Sequence, residues 1–274
     1  MPLLTLTTDI GQQDFLVGAI KGQLLTANPS LSITDITHYL PQENFAHSAY
    51  ICNNAFKFFP PATFHIILLN VFEIKDGHFI LAEYNNQFIL CPNNGIITMI
   101  VGAIPKKIVT LPILNARTLL EITQILANTI TDLCNGKSLQ SIGTNGLSIV
   151  EKATLKPLIS NDWMEGQILF VDNFENVVIN ITKEEFEHER KGRNFKIVFK
   201  RNEVVETISD NYSTVNEGEP LAFFNSAGYL ELAINNGNIA GLFGLKSFNE
   251  KMYKHGTAVQ NKSFYETVRI FFEK

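Results

Sequence analysis

The chain has 274 residues with 22 Lys+Arg against 27 Asp+Glu, a formal net charge of −5, and is 45% hydrophobic and 18% charged. That balance sustains a folded core and excludes a disordered, solvating chain. The acidic charge and the lack of a basic run speak against a nucleic-acid footprint, and the longest apolar run, around residues 66–69, falls far short of the roughly 20 residues of a membrane span.

In chain order, residues 3–7 are a short apolar strand. Leu16, Ile20 and Leu24 fall four apart in a helix over 14–27 that Asn28-Pro29 stops. Residues 31–36 form a second strand. Phe45, Ala49, Cys52 and Phe56 mark a helix over 44–59 that ends at Pro60-Pro61. Residues 63–69 are apolar except for Thr63 and His65, the mark of a strand buried on both faces, and 87–91 are another strand. Leu119, Ile122, Leu126, Ile130 and Leu133 share one face of a helix over 118–133, with Asn135-Gly136 as its stop. This alternation predicts an α/β N-terminal domain, 1–155, with a mostly parallel sheet.

Residues 156–164, with Lys156-Pro157 and Ser160-Asn161-Asp162, read as a linker. Beyond it, 167–171, 177–181, 195–199, 221–224, 229–234 and 268–272 are short β-like runs separated by Asn-Gly and Glu-Gly turns. They predict an all-β C-terminal domain, 165–274, as a barrel or sandwich. The mixed charges from Lys183 to Arg193 read as a solvated face or loop. Cys52, Cys91 and Cys134 match no zinc spacing and read as buried thiols in a reducing compartment. Asp9 interrupts any N-terminal apolar stretch, so no leader is expected and the cytoplasm is the expected location.

Ligands of an open parallel sheet bind beyond the carboxyl ends of its strands, and Asp9 lies at such an end. Asp9-Ile10-Gly11 lacks the glycine fingerprint and the lysine that cradle phosphates. A carboxylate there repels phosphate and suits a ribose diol or a cation; Asp14 reads as a helix cap. Three further polar segments stand out: Cys91 to Gly95, with Asn94; Val171 to Asn176, with Asp172, Phe174 and Asn176; and Phe224 to Gly237, with Ser226 and Asn236. Each alone is an ordinary turn.

Their order is more specific. Thr7-Thr8-Asp9-Ile10-Gly11 with Asp14 and Lys21-Gly22 comes first. Asp35-Ile36-Thr37-His38, Phe58-Phe59-Pro60 with Phe64-His65, and Pro92-Asn93-Asn94-Gly95 follow. Asp172 with Phe174 and Asn176, then Asn225-Ser226 through Gly237, close the series. The set resembles the S-adenosylmethionine hydroxide adenosyltransferase family, which includes the fluorinating and chlorinating enzymes. The resemblance implies an α/β domain followed by a β domain and a homotrimer with inter-subunit sites. It implies a nucleoside substrate, S-adenosylmethionine, with no cofactor and neither nucleic acid nor membrane as partner. By position, Asp9 would bind the ribose hydroxyls and Asp172, aided by Ser226, the methionine ammonium. Phe174 and Asn176 would line the adenine and methionine region, Asn236 the adenine edge, and Asn94 would contribute from its turn.

The family's hydrolytic members handle water with an Asp–Arg–His set, and this chain departs from it. The Asp position is Asn70, the Arg falls near Gly77, and the His falls near Glu121. An amide orients water but cannot take its proton. Glu73, His78 and Glu121 are the substitutes, and Glu73, in the loop beside Asn70, is the expected base. The expected reaction is hydrolysis to adenosine and methionine; the alternative is a binding protein with weakened chemistry.

Overall fold

A computed structural model describes residues 1–73, 78–113, 116–145, 148–200, 203–245 and 266–273. The chain divides into two compact units, Met1–Thr154 and Leu155–Lys274.

The first unit alternates β1 (Leu3–Thr8), α1 (Leu16–Ala27), β2 (Ser32–Thr37), α2 (Phe45–Phe56) and β3 (Phe64–Leu68). It continues with β4 (His78–Tyr84), β5 (Gln87–Pro92), α3 (Ile96–Val101), β6 (Lys107–Pro112), α4 (Leu119–Cys134) and α5 (Leu139–Ile142). Among the described residues its sheet runs β2-β1-β3-β5-β4-β6. β2, β1, β3 and β5 are parallel, and β4 is antiparallel to both its neighbours. The mostly parallel sheet is as expected. β4, α3 and β6 are additions; the β4–β5 hairpin turns at Asn85 and Asn86, both left-handed at φ 49° and 59°, the conformation a two-residue turn of this hand requires.

β3 is buried along its whole length, His65 included. All five residues are buried: Ile66 and Leu68 join one core with Leu4, Ile20, Leu24 and Leu126, while Ile67 joins the other with Ala49, Cys52 and Phe56. α1 packs beside α4, and α2 beside α3. Strand order and helix placement together put a switch point between β1 and β3. The chain leaves β1 through α1 toward β2 on one side, then returns through α2 to β3 on the other.

The second unit contains β7 (Leu158–Ile159), β8 (Trp163–Val171), β9 (Val177–Thr182), α6 (Lys183–Arg190), β10 (Phe195–Val198) and β11 (Val204–Val205). β12 (Pro220–Phe224), β13 (Tyr229–Ile234) and β14 (Thr267–Phe272) complete it. The sheet order is β11-β10-β14-β8-β9-β13-β12, with β7 on β8. Past β11, Ile208 bridges Ala222 of β12 and the Ser209 N–H donates to the Ala222 carbonyl at 2.7 Å, so the sheet nearly closes into a barrel. β14 alternates strictly, with Val268, Ile270 and Phe272 buried.

Two expectations need correction and a third is narrowed. Residues 156–164 are not a free linker, because β7 pairs with β8 inside them. The Lys183–Arg193 charge cluster is a solvated face, as expected, but of a helix and not a loop: α6 opens on a Thr182–Glu185 capping box and buries Phe186 5.0 Å from Phe195. Cys134, the last residue of α4, is exposed, whereas Cys52 and Cys91 are buried.

Candidate functional site

The carboxyl ends of β1 and β3 meet at the switch point. There the Asp9 N–H continues the ladder by donating to the Leu68 carbonyl at 3.1 Å. The Asp9 side chain, 6% exposed, turns across to β3: its Oδ2 accepts the Asn70 N–H at 2.8 Å and the Gln42 Nε2 at 3.0 Å. Burial pushes the Asp9 pKa above the usual carboxylate value, against the opposing pull of those two donors. Gly11, at φ 72°, turns the chain so that its N–H reaches the His38 carbonyl at 2.7 Å.

Asn70, two residues beyond β3, is left-handed at φ 49°, a conformation Asn tolerates better than most residues. Its Nδ2 donates to the Gln42 carbonyl at 2.8 Å. Gln42 therefore holds Asp9 with its side chain and Asn70 with its backbone, a role with no sequence signal. Asn94, after β5, joins the same edge: its Nδ2 donates to the Leu69 carbonyl at 2.9 Å and its Oδ1 accepts the Ile96 N–H at 3.2 Å. Gly95 follows at φ 94°, and a Cβ there would come within 2.5 Å of the Lys152 side chain. The Lys152 Nζ lies 3.2 Å from the centre of the Phe45 ring. Burial lowers the Lys152 pKa and the charge of Glu73 raises it, so the two are electrostatic neighbours.

Glu73 is exposed, in the turn where its N–H reaches the Asn70 carbonyl at 3.3 Å. Of the other substitute bases, His78 opens β4 and Glu121 is spent on structure. The Glu121 carboxylate accepts the N–H groups of Arg117 and Thr118 at 2.6 and 2.9 Å, completing the α4 capping box and holding its pKa low. Gly77, where the family Arg is expected, and Ile74 to Asp76 lie outside the described residues. Asp14 accepts the Leu16 N–H at 2.9 Å from just before the helix N-cap, Phe15.

The second unit gathers its own set. Asp172 Oδ1 accepts the N–H groups of Phe174 and Asn176 at 2.9 and 2.8 Å, closing the turn between β8 and β9. The turn presents the Phe174 ring to solvent, 76% exposed, and buries Asn176. Asn176 Nδ2 faces Tyr212 Oη at 2.6 Å, Glu231 Oε1 at 2.8 Å and Asp172 Oδ2 at 3.4 Å. Asn225 Nδ2 donates to the other Glu231 oxygen at 3.0 Å. Burial raises the pKa of Asp172, Glu231 and Tyr212 alike. Ser226 is exposed in the β12–β13 turn; Asn236, exposed and left-handed at φ 54°, follows β13. Glu231 and Tyr212 carry no motif that would single them out in the sequence.

Asp9, Asn70, Asn94 and Glu73 thus share one strand edge of the first unit. Asp172, Phe174 and Asn176 lie in the β8–β9 turn of the second, and Ser226 in its β12–β13 turn. Among the described residues no group of three His, Cys, Asp or Glu could hold a metal ion, and no helix is long and apolar enough to cross a membrane.

The profile of the SAM hydroxide adenosyltransferase N-terminal domain matches residues 4–143, and that of the C-terminal domain residues 166–250. The chain belongs to this family. It is 25% identical over 191 residues to an (R)-S-adenosyl-L-methionine hydrolase of Methanocaldococcus jannaschii, covering 68% of this chain and 69% of that protein. It is 24% identical over 254 residues to a protein of the same name from Thermus thermophilus, covering 87% and 94%. A third, from Salinispora tropica, is 24% identical over 257 residues, covering 89% and 94%. A solved structure described as an uncharacterized conserved protein from Thermotoga maritima superposes with a TM-score of 0.79 at 22% identity, covering 98% and 99% of the two chains. A conserved hypothetical protein from Thermus thermophilus gives 0.70 at 20% identity over the full length of both. These two solved structures share the fold.

Proposed function

We propose that this chain binds S-adenosyl-L-methionine and hydrolyses it to adenosine and L-methionine. The carrying observation is the Asp9 carboxylate, held by the Asn70 N–H and the Gln42 amide at the carboxyl ends of β1 and β3, where open parallel sheets take their ligands. Family membership and three relatives named as S-adenosylmethionine hydrolases support the reading. In it Asp9 takes the two ribose hydroxyls, a hydroxyl replacing the Gln42 amide as donor. Asp172, with Ser226, holds the methionine ammonium, while Phe174 and Asn176 line the adenine, with Asn236 at its edge.

Water oxygen bonds to ribose C5′ as the C5′–S bond breaks, and its electron pair returns to sulfur. Methionine leaves as a neutral thioether, so the leaving group needs no proton; the attacking water loses one. Alignment and desolvation carry most of the work. Asn70 orients the water, and Glu73, on the same turn, receives its proton. Glu73→Gln should lower adenosine formation and leave S-adenosylmethionine affinity unchanged. Equal turnover would return Glu73 to the solvent-facing turn.

The second reading, a binding protein with weakened chemistry, draws on the Asn70 amide being committed to the Gln42 carbonyl. Chromatography for adenosine after incubation with S-adenosylmethionine, beside calorimetric titration, separates the two. Binding without adenosine leaves the binder, and no binding sinks both. The reading also carries a homotrimer in which each substrate is shared between subunits; light scattering should give three times the 30.8 kDa chain mass.

A further inference from the structure

The side chains around Glu231 form a chain of amides whose orientation has one starting point. Asn225 Oδ1 accepts two backbone N–H groups, from Ala227 at 3.0 Å and Tyr229 at 3.1 Å. That fixes which end of the Asn225 amide is nitrogen, and the nitrogen faces Glu231 Oε2 at 3.0 Å. The other oxygen of Glu231, Oε1, can only accept when ionised, so the amide opposite must offer it nitrogen. Asn176 does so at 2.8 Å, and the same nitrogen meets Tyr212 Oη at 2.6 Å and Asp172 Oδ2 at 3.4 Å. Three acceptors surround Nδ2, so Oδ1 is turned away from them. The neighbouring Phe174 ring, on the same turn, is an exposed flat surface.

We infer that Glu231, seconded by Tyr212, is a positioning residue that locks the Asn176 amide with its carbonyl outward, so that the site takes a purine bearing a 6-amino group over its 6-keto counterpart. The inference rests on the proposed adenosine site and adds what sets its base preference. An outward carbonyl accepts from the amino group of adenine. Hypoxanthine offers a carbonyl there, and two acceptors face each other unpaired.

Glu231→Gln tests it with nearly unchanged volume. Asn225 still donates, so the carbonyl of the substituted side chain takes that place and its NH₂ turns toward Asn176. The Asn176 amide then rotates, presenting nitrogen outward. The full-length protein is titrated with adenosine and with inosine. Wild type should favour adenosine, and Glu231→Gln should reduce the adenosine-to-inosine affinity ratio by at least about tenfold, the value of one exchanged hydrogen bond. Tyr212→Phe, at a partly exposed ring, should reduce the ratio less, and decides the matter if Glu231→Gln fails to fold. A lowered melting temperature with an unchanged ratio would make Glu231 purely structural and overturn the inference. Equal affinity of wild type for both nucleosides would overturn it while leaving the adenosine site standing. Binding of neither would remove the proposed function itself, and the inference with it.

Discussion

Asp9 and Glu231 are both buried carboxylates with raised pKa values, each accepting from nitrogen donors, yet they are built differently. One donor to Asp9 is the backbone N–H of Asn70, placed by the pairing of β1 with β3. Both named donors to Glu231 are side-chain amides, and one of them, Asn176, takes its own orientation from Glu231. The first carboxylate is held by architecture, the second by reciprocal side-chain choices. A buried carboxylate of the first kind tolerates exchange of its side-chain partner for a ligand hydroxyl. One of the second kind transmits any change to its neighbours.

The contrast can be broken most directly at Asp9. Asp9→Ala should lower adenosine affinity by roughly tenfold to more than a hundredfold, the loss of charge-assisted bonds of about 1.5–3 kcal/mol each. Unchanged affinity in a calorimetric titration would reduce Asp9 to a strand-end brace. Asn225→Ala should next cost about 1–3 kcal/mol of stability, through two released N–H groups and one lost donor to Glu231. The lost donor matters only while Glu231 is ionised. Because its folded pKa lies above the ordinary 4.5, that part of the loss is full above the folded pKa. It fades as pH falls toward the ordinary value; the part from the released N–H groups persists. Denaturant melts at several pH values check both parts.

Smaller effects sharpen the architectural side. Asn70→Ala should cost about 1–2 kcal/mol, because alanine is strained at φ 49° and loses the bond to the Gln42 carbonyl. Asn70→Gly loses that bond without the strain, so it should cost less, and equal costs would dismiss strain as a factor. Smallest is Asp35→Asn. Burial raises the Asp35 pKa, but the Lys21 ammonium at 2.5 Å and His38 outweigh it, leaving the folded value below 3.8. Its stabilisation is present above that ordinary value and lost as pH falls through the folded one. Substitution should cost at most about 1 kcal/mol at neutral pH for so accessible a pair, vanishing in acid.

Elements with a clear period are legible in the sequence. The 118–133 helix has a five-residue apolar face and a capping box, and lies within a residue of its expected bounds. The 63–69 stretch, apolar except for Thr63 and His65, is indeed a strand buried on both faces. Elements without such a signal are not legible. α3, Ile-Ile-Thr-Met-Ile-Val, is six residues, with its first five buried, so no polar face marks its turn. α6 has a single buried residue, Phe186, among seven charged or polar ones, and reads as a solvated face or loop, with no period to choose the helix. β4 buries the consecutive run Phe79 to Ala82, and without polar alternation such a short run does not distinguish strand from helix.

The order of elements, the change from α/β to β near residue 155, the family, and the positions of Asp9, Asn70, Asp172 and Asn176 are all written in the chain. These depend on local periodicity and on residues whose chemistry is read where they stand. The folded structure was needed to find that Gln42 ties Asp9 to Asn70 and that Glu231 orients Asn176. These are hydrogen bonds, and a hydrogen bond is set by distance and direction between atoms: Asp9 reaches 33 and 61 positions along the chain, and Asn176 reaches 55. No spacing in the sequence encodes such pairings; strand pairing brings them together.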